Sequence, residues 1–511
     1  MDRRLSDSAD AIRFRIDATR CDGQGVCVLV APELFGLDRY GLGYVLPGAD
    51  QLAAADPEVR ARGLEADAMC PRNAIREEPA LAARPDPAPA AASPAAASPA
   101  AASPAAAGFV PRLVTGAGTQ SLADWRSRGG FRDHAPGELL DLVAQAGLAG
   151  QGGAGFPTAA KWRHVIGADQ PFVVANGAER EPGTAKDRYL MTHRPFAVLD
   201  GLRLAMHAVG ARVGYLCIDE DAHEAAGQLA AALDDARAAG LLDGIEIRFH
   251  QVPARYVAGE ETALLSSIEG FGPVPRIRPP YPAEVGLFGR PTLVQNVETL
   301  AQLAVAAVLG ASGYRAAGTP DSPGSGIFTV GRFGGDFTVT EVEFGRPLAA
   351  LLAEHGLLRG ARAVLVGGYA GGLLTPDQLG VPLTPAALRA AGVSLGTKSV
   401  QVLGPDDCPV RAVASIVRYF GEQTAEQCPP CHRGLPDMAA ILDDLEKGTA
   451  DAAALAELEQ FMATLSGRGV CRLPDGAARV VLSLLTSFAE VVAAHATGGC
   501  QDAAGPASPG K

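Results

Sequence analysis

The sequence predicts an α/β chain of several domains, and three observations carry that expectation. At 511 residues it has room for three or four domains. Hydrophobic residues make up 48% of it, enough for real cores. At 79–108 the composition collapses to Ala, Pro and Ser, with Ala-Ser-Pro-Ala-Ala recurring around Ser93, Ser98 and Ser103. Prolines at that density forbid a helix, and alanines alone supply no core. The stretch reads as a semi-extended tether, reaching at most roughly 90 Å at about 3.1 Å per residue. It divides a small first module from a larger remainder and holds the two at high local concentration.

Charge and cysteines narrow the function classes. The chain carries 57 acidic against 44 basic side chains, net −13, which argues against nucleic acid as a partner. Nine cysteines fall mainly in two groups, one near each end. The chain opens Met-Asp-Arg-Arg with no apolar signal segment, so a cytoplasmic protein with reduced thiols is expected. Clustered cysteines then read as metal ligands, not disulfides. The most apolar stretch, Val480 to Ala496, contains Glu490 and His495. No membrane span is expected, while peripheral attachment to a membrane complex stays open.

In the first module, residues 1–78, Ile12-Arg-Phe-Arg-Ile16 alternates as a strand does. Cys21-Asp-Gly-Gln-Gly-Val-Cys27 follows, and much later Cys70-Pro71. Cysteines on a glycine-rich loop with a distant Cys-Pro form an iron–sulfur pattern, because bare backbone wraps a cluster and turns N–H groups toward its sulfurs. The alternative is three buried free thiols. With Ala31-Pro-Glu-Leu-Phe35 and Ala74-Ile75 in place, the module resembles the small single-cluster bacterial ferredoxins. That resemblance implies that Cys21, Cys27 and Cys70 hold a cluster. Gln24 stands where those proteins often have a further cysteine. Three thiolates suit a [3Fe-4S] cluster, towards which the reading leans. A [4Fe-4S] cluster would need water or another ligand on its fourth iron.

Residues 109–325 form a second unit. Gly137 to Leu148 reads as an amphipathic helix, followed by Gly150-Gln-Gly-Gly-Ala-Gly-Phe-Pro-Thr-Ala-Ala-Lys161. The loop fits G-x-G-x-x-G, but that fingerprint requires a preceding strand, so a standard Rossmann site is rejected. Four glycines and Lys161 still make a phosphate cradle, the alternative being a tight turn alone. Pro171-Phe-Val-Val-Ala175 reads as a buried strand ending in a polar loop with Glu179 and Glu181, a usual place for a ligand crevice. In isolation those acids would be solvated. Tyr256-Val-Ala-Gly-Glu-Glu-Thr-Ala-Leu264 begins a helix whose dipole Glu260 and Glu261 would complement. Gly289 to Leu300 supplies Gln295 and Asn296 ahead of another helix.

Together these stretches resemble the flavin-bearing, NADH-oxidising subunit of respiratory complex I and of related NAD-linked hydrogenases and formate dehydrogenases, over about residues 140–480. The resemblance implies FMN, its phosphate on Gly152, Gly153 and Lys161. Asn176, Glu179, Tyr256, Gly259, Glu260 and Glu261 would lie around the flavin. Gln295, Asn296 and Thr299 would cover its phosphate and ribityl side. Phe156 would stack on the adenine of NADH, and Glu181 would contact the nucleotide. The chain departs from the family in four places: Ala178 for Asp, Arg180 for Gly, His164 near an expected aromatic and Arg278 near an expected lysine. Asn-Gly-Ala-Glu-x-Glu-Pro is closer to the related subunit of Rnf-type membrane reductases. Arg180 would either meet a 2′-phosphate or block the site.

Beyond it, Phe337 to Val342 alternates, Pro347 to His355 reads as a helix and Ala363 to Val366 as a strand. This segment, 326–400, resembles the small β-grasp domain of the same family. Residues 401–500 read as a helical bundle, with a tail at 501–511. Cys428-Pro-Pro-Cys431 with Cys471 suits zinc, a redox dithiol or bare structural thiols. The resemblance implies a [4Fe-4S] cluster on Cys428, Cys431 and Cys471. Ala425 replaces the first cysteine of the family's run, so the fourth ligand is unassigned, Cys408 being nearest in sequence. Cys217 reads as core, and Cys500 as part of the tail.

A nicotinamide gives up a hydride pair, clusters take single electrons, and a flavin does both. The expected function is an FMN and iron–sulfur oxidoreductase. It would take electrons from NADH or NADPH, move them through flavin N5 and the clusters to the tethered ferredoxin, and pass them to an external redox protein. Further subunits are compatible. Hydride transfer needs no protein acid or base, so no catalytic residue is assigned. The other reading is an electron-conduit subunit whose nucleotide site is dead.

Overall fold

The structure is a computed structural model describing residues 12–17, 20–21, 23–38, 41–79, 109–116, 118–465 and 467–498. The tether, apart from Pro79, lies outside the described residues, as do Cys500 and the tail.

The first module pairs β1 (Ile12–Ile16) antiparallel with the strand that closes it, and joins β2 (Phe35–Leu37) to β3 (Gly43–Val45) as a hairpin. The closing strand is β4 (Ile75–Pro79). Helix Pro57–Met69 starts where Asp56 accepts hydrogen bonds from the N–H groups of Glu58 and Val59, with proline at its first position. It lies close on β1 because Gly63 has no side chain; a Cβ there would come within 2.2 Å of the Phe14 ring. Phe14, Leu34, Phe35, Val59 and Ile75 make the small core.

The central unit is built on a parallel sheet of β5 (Phe172–Gly177), β6 (Val213–Asp219), β7 (Glu246–Val252) and β8 (Thr292–Asn296), in the spatial order β7-β6-β5-β8. Side chains alternate faces along a strand. Val173 and Ala175 of β5 pack with the helices Pro195–Val209 and Val297–Arg315, while Phe172 and Val174 pack with Tyr215, Cys217 and Leu264. Both faces are therefore covered, which explains why β5 reads as a continuous apolar run. Cys217 sits fully buried in this second layer, as expected. Helix Val297–Arg315 is long and apolar enough to cross a membrane, yet most of it is packed inside the protein. The stretch singled out by sequence divides into helices Leu473–Ser487 and Ala489–Gly498, bent 88° apart.

A five-stranded mixed sheet follows: β9 (Ser325–Arg332), β10 (Phe337–Glu343), β11 (Ala363–Val366), β12 (Gly372–Leu374) and β13 (Ser399–Leu403). Its order is β10-β9-β13-β11-β12, with β13 parallel to β9. Helix Leu348–Glu354 covers one face. The chain ends in helices Pro409–Glu422, Leu435–Lys447, Ala452–Leu465 and the bent pair, whose shared core includes Val413, Phe420, Leu442 and Leu484.

Candidate functional site

In the central sheet β6 and β7 lie to one side of β5 and β8 to the other, so the strand order reverses between β5 and β8. The crevice beyond the carboxyl ends of the strands at such a switch point is where open α/β sheets take ligands. Asn176, next to last in β5, is paired in register with Asn296, the last residue of β8. Asn176 Nδ2 donates to Gly259 O (2.9 Å), tying the sheet edge to the turn before helix Glu261–Ile268. Gln295 is buried one residue earlier in β8, and its Nε2 has no partner.

The glycine loop hangs over this edge. It follows helix Pro136–Ala146, as expected. The loop closes on itself, Gly150 N donating to Phe156 O (2.8 Å). Gly152 to Gly155 are exposed and Phe156 is half-buried. Gly153 and Gly155 take left-handed backbone angles, which other residues adopt at a cost. A Cβ on Gly152 would press to 3.1 Å from the Asn296 Cβ. Thr299 holds the loop from below, its hydroxyl accepting from Gln151 N (2.8 Å). Lys161 stands on the short helix Thr158–Arg163 with its ammonium 2.8 Å from Glu261 Oε2.

Two of the four acids cap helices, and the other two make side-chain contacts. Glu179 accepts from the N–H groups of Asp187 and Arg188 and so caps helix Lys186–His193; burial and the neighbouring Asp187 push its pKa up. Glu181 is buried, accepting from Thr397 Oγ1 (2.8 Å) and Tyr256 Oη (3.2 Å), and burial raises it to about 7. Glu260 caps its helix through the N–H groups of Thr262 and Ala263 and is raised by burial. Glu261 feels burial too, but Lys161 and Arg278 outweigh it and hold its carboxyl low. The helix-end role expected of Glu260 is thus present, and Arg278 joins it to Glu261 at 3.5 Å and 3.0 Å respectively.

Sequence reasoning missed the buried charges under the loop. Lys186 Nζ lies 2.7 Å from Asp187 and 3.1 Å from Glu298, and Lys398 Nζ lies 3.1 Å from Glu298. Lys398 also donates to Gln151 O (2.8 Å), and burial lowers its pKa to about 8. Two ammoniums and two carboxylates balance, which is how a core tolerates charge. Glu298 and Lys398 are hard to foresee, since a lysine just ahead of a strand looks like a surface residue. The second sheet also reaches the site. Gly368 leaves room for Glu181, because a Cβ there would fall 1.6 Å from its Oε1. Arg180 is pinned by Asp219 (3.1 Å) and Asp221 (2.7 Å), and His164 is exposed.

The structure brings both cysteine groups together. Cys21, Cys27 and Cys70 line one cavity of about 340 Å³, counting its open mouth, and Gln24 lines it too. Gly43 N donates to Cys21 Sγ (3.3 Å) and Ala74 N to Cys70 Sγ (3.4 Å). Burial raises the Cys27 thiol. At the other end Cys428, Cys431 and Cys471 are all buried. Cys428 gains a hydrogen bond from Cys431 and falls below the usual thiol range, while burial raises Cys471 to about 12. Cys408 instead faces His495 Nε2 at 3.3 Å. Among the described residues no three His, Cys, Asp or Glu side chains are spaced for a single metal ion; a polynuclear cluster sets its thiolates farther apart.

Residues 143–305 match the Nuo51 FMN-binding domain, 411–495 the NADH-ubiquinone oxidoreductase-F iron-sulfur binding region, and 14–76 a 4Fe-4S single cluster domain. An F-type subunit of NADH-quinone oxidoreductase in Rhizobium meliloti is 32% identical over 395 residues, 73% of this chain and 94% of that protein. The chain belongs to the family of NADH-quinone oxidoreductase F-type subunits. The Streptomyces coelicolor member is 33% identical over 72% of this chain and 85% of its own. The NAD+-reducing [NiFe]-hydrogenase in its H2-reduced state superposes with a TM-score of 0.67 at 33% identity, covering 72% of this chain and 64% of the hydrogenase chain. In its air-oxidized state the TM-score is 0.68 at 32% identity, covering 76% and 69%. The chain therefore carries the family's FMN domain and iron–sulfur region, with a single-cluster domain at its N-terminus.

Proposed function

We propose that this chain moves electrons between NADH and its own N-terminal module by way of FMN at the β5/β8 edge and the two cysteine sites. One observation supports this most. Tyr256, on the turn that Asn176 holds, and Ile277, next to Arg278, pack against the core cluster that buries Cys428, Cys431 and Cys471, so the crevice and the C-terminal thiols are neighbours.

The residues fit the flavin cofactor. Gln295 Nε2 is a buried donor lacking a partner, and Gly152 leaves open the space that a Cβ would take beside Asn296. FMN, when bound, takes a hydride pair and releases electrons singly. Around it, Gly152, Gly153 and Lys161 would hold the phosphate. Gln295, Asn296 and Thr299 hold the ribityl side. Asn176, Glu179, Tyr256, Gly259, Glu260 and Glu261 shape the ring pocket. Phe156 and Glu181 would face the nucleotide. Arg180 is already neutralised by Asp219 and Asp221; a 2′-phosphate there would meet two carboxylates, which supports NADH over NADPH.

Cys428, Cys431 and Cys471 suit the C-terminal cluster. Cys21, Cys27 and Cys70, with Gln24 in place of a fourth thiol, suit a [3Fe-4S] cluster or a [4Fe-4S] cluster with a non-thiolate ligand. The domain division 1–78, 109–325, 326–400 and 401–500 needs small shifts, since β4 runs to Pro79, β9 begins at Ser325 and β13 runs on to Leu403; the order β10-β9-β13-β11-β12 supports a β-grasp reading of the third unit. Free cysteines support a cytoplasmic location. Further subunits and an external redox protein complete the scheme.

The experiment is anaerobic purification, absorbance and electron spin resonance spectra, then NADH and NADPH added separately. Flavin bleaching by NADH followed by cluster signals is expected. A flavin that stays oxidised with both nucleotides overturns the proposal.

A further inference from the structure

We propose that Arg468 is the docking residue through which the N-terminal module takes electrons from the C-terminal thiol site. This rests on the electron route above and adds the place where it crosses between modules. Arg468 lies three residues before Cys471 and reaches into the first module. Its Nη2 is 3.0 Å from Asp38 Oδ2 and 3.2 Å from Gly43 O, and its guanidinium lies 5.1 Å from the centre of the Tyr44 ring. The Arg468 and Asp38 side chains are only 16% and 10% exposed. An exposed ion pair contributes little. This one is drawn out of water, its Nη2 reaches two acceptors at once and its planar guanidinium lies over a ring, a combination that arginine suits. Arg15 of the first module donates to the carbonyl of Arg278 on the same face. Between them lies a crevice of about 230 Å³ lined by residues of both modules, among them Ile16, Ile277 and Val470.

Gly43 connects this contact to chemistry. Its N–H donates to Cys21 Sγ (3.3 Å), and its carbonyl accepts from Arg468. A Cβ on it would press to 3.2 Å from Cys27 Sγ, so backbone alone separates the thiols from the interface. On the other side Val470 N–H bonds to the Cys428 thiol, and Cys471 follows directly. One glycine residue, one guanidinium and a four-residue stretch thus join the two thiol sets. The step is a one-electron exchange. The cluster at Cys428, Cys431 and Cys471 is oxidised by one electron and the cluster at Cys21, Cys27 and Cys70 is reduced by one. No bond forms or breaks, and no proton moves.

Two variants approach the contact from opposite sides, Arg468→Ala and Asp38→Asn, each in the full-length chain purified without oxygen. Hydrogen exchange of peptides covering 41–46 and 467–472, read on oxidised protein without nucleotide, reports docking. Freeze-quenched electron spin resonance after mixing with NADH reports how fast the N-terminal cluster is reduced. Each variant is expected to speed exchange in both peptides and to slow N-terminal reduction by about tenfold or more. In Asp38→Asn the C-terminal cluster keeps its wild-type reduction rate. Arg468→Lys, which keeps the charge and loses the planar group over Tyr44, falls between. Asp38 Oδ1 also accepts from Leu42 N (2.9 Å); should Asp38→Asn misfold, Arg468→Ala still decides. Exchange unchanged in both variants overturns the docking. Faster exchange with an unchanged reduction rate overturns Arg468 as the crossing. A wild-type flavin that NADH fails to reduce overturns the function proposed above, and the exchange data still decide the docking.

Discussion

The N-terminal thiol cavity and the crevice at the β5/β8 edge are held in place by opposite means. The cavity is local: its three cysteines fall within 50 residues, its glycine backbone sets the spacing, and a small core of Phe14, Leu34, Phe35 and a few neighbours supports it. The crevice is assembled from stretches near 150, 180, 260, 296 and 398, and buried opposite charges lock them together. A small core leans on whatever its ligands bind, since metal binding and folding share one free energy. A site braced by its own charge network needs no occupant to keep its shape. The crevice should therefore survive loss of its cofactor, and the cavity should not survive loss of iron.

The largest expected effect separates the two outright. Stripping iron with a chelator, or Cys70→Ala, should unfold the first module and leave the central sheet intact. Hydrogen exchange across 12–79 should rise to the unprotected rate while 172–177 stays protected; equal behaviour of the two regions would break the comparison. Next in size is Lys186→Met, which leaves Asp187 and Glu298 short of a partner. Removing one partner from a buried set costs about 3–5 kcal/mol. Denaturant unfolding followed by a central-domain probe should show that loss, with the first module unaffected.

Glu181 sharpens the contrast through pH. Its carboxyl is raised to about 7 in the folded chain by burial, from an ordinary value of 4.5. Below 4.5 both folded and unfolded chains keep the proton and the group contributes nothing. Between about 4.5 and 7 the unfolded chain releases it first, so stability falls as pH rises, then levels off. The fall amounts to about 3 kcal/mol at about 1.36 kcal/mol per unit. Glu181→Gln should flatten the central domain's stability over that window; an unchanged slope would remove Glu181 as its source. The smallest effect is expected from Gly43→Ala. The added methyl crowds Cys27 Sγ at 3.2 Å and Ile16 Cδ1 at 3.0 Å, and overpacking of this kind costs about 1–3 kcal/mol. It should show as faster loss of N-terminal iron to a chelator, with the C-terminal cluster unchanged.

Much of this was legible in the chain. Strand β5 announced itself as an apolar run entering a polar loop, and the helix ahead of the glycine loop ruled out a dinucleotide fingerprint despite the matching spacing. Cys21, Cys27 and Cys70 were readable because glycines and a following proline flank them. Glu179 and Glu260 were readable as polar loop and helix-start residues, though their capping of two helices was visible only in part. Glu298 and Lys398 were not. Nothing in a lysine's local sequence says that another segment will surround it.

Sequence alone located strand β5, the glycine loop behind a helix and the two thiol groups, because each depends on spacing and periodicity along a few turns of chain. Only the tertiary structure decided which charges are buried together, that Cys408 faces His495, that the second sheet reaches Glu181, and that Arg468 meets Asp38 and Gly43. Apart from the neighbouring Lys186 and Asp187, those facts rest on groups more than 80 residues apart. Their pairing energies come from removal of water around both partners at once, which no local stretch of sequence records.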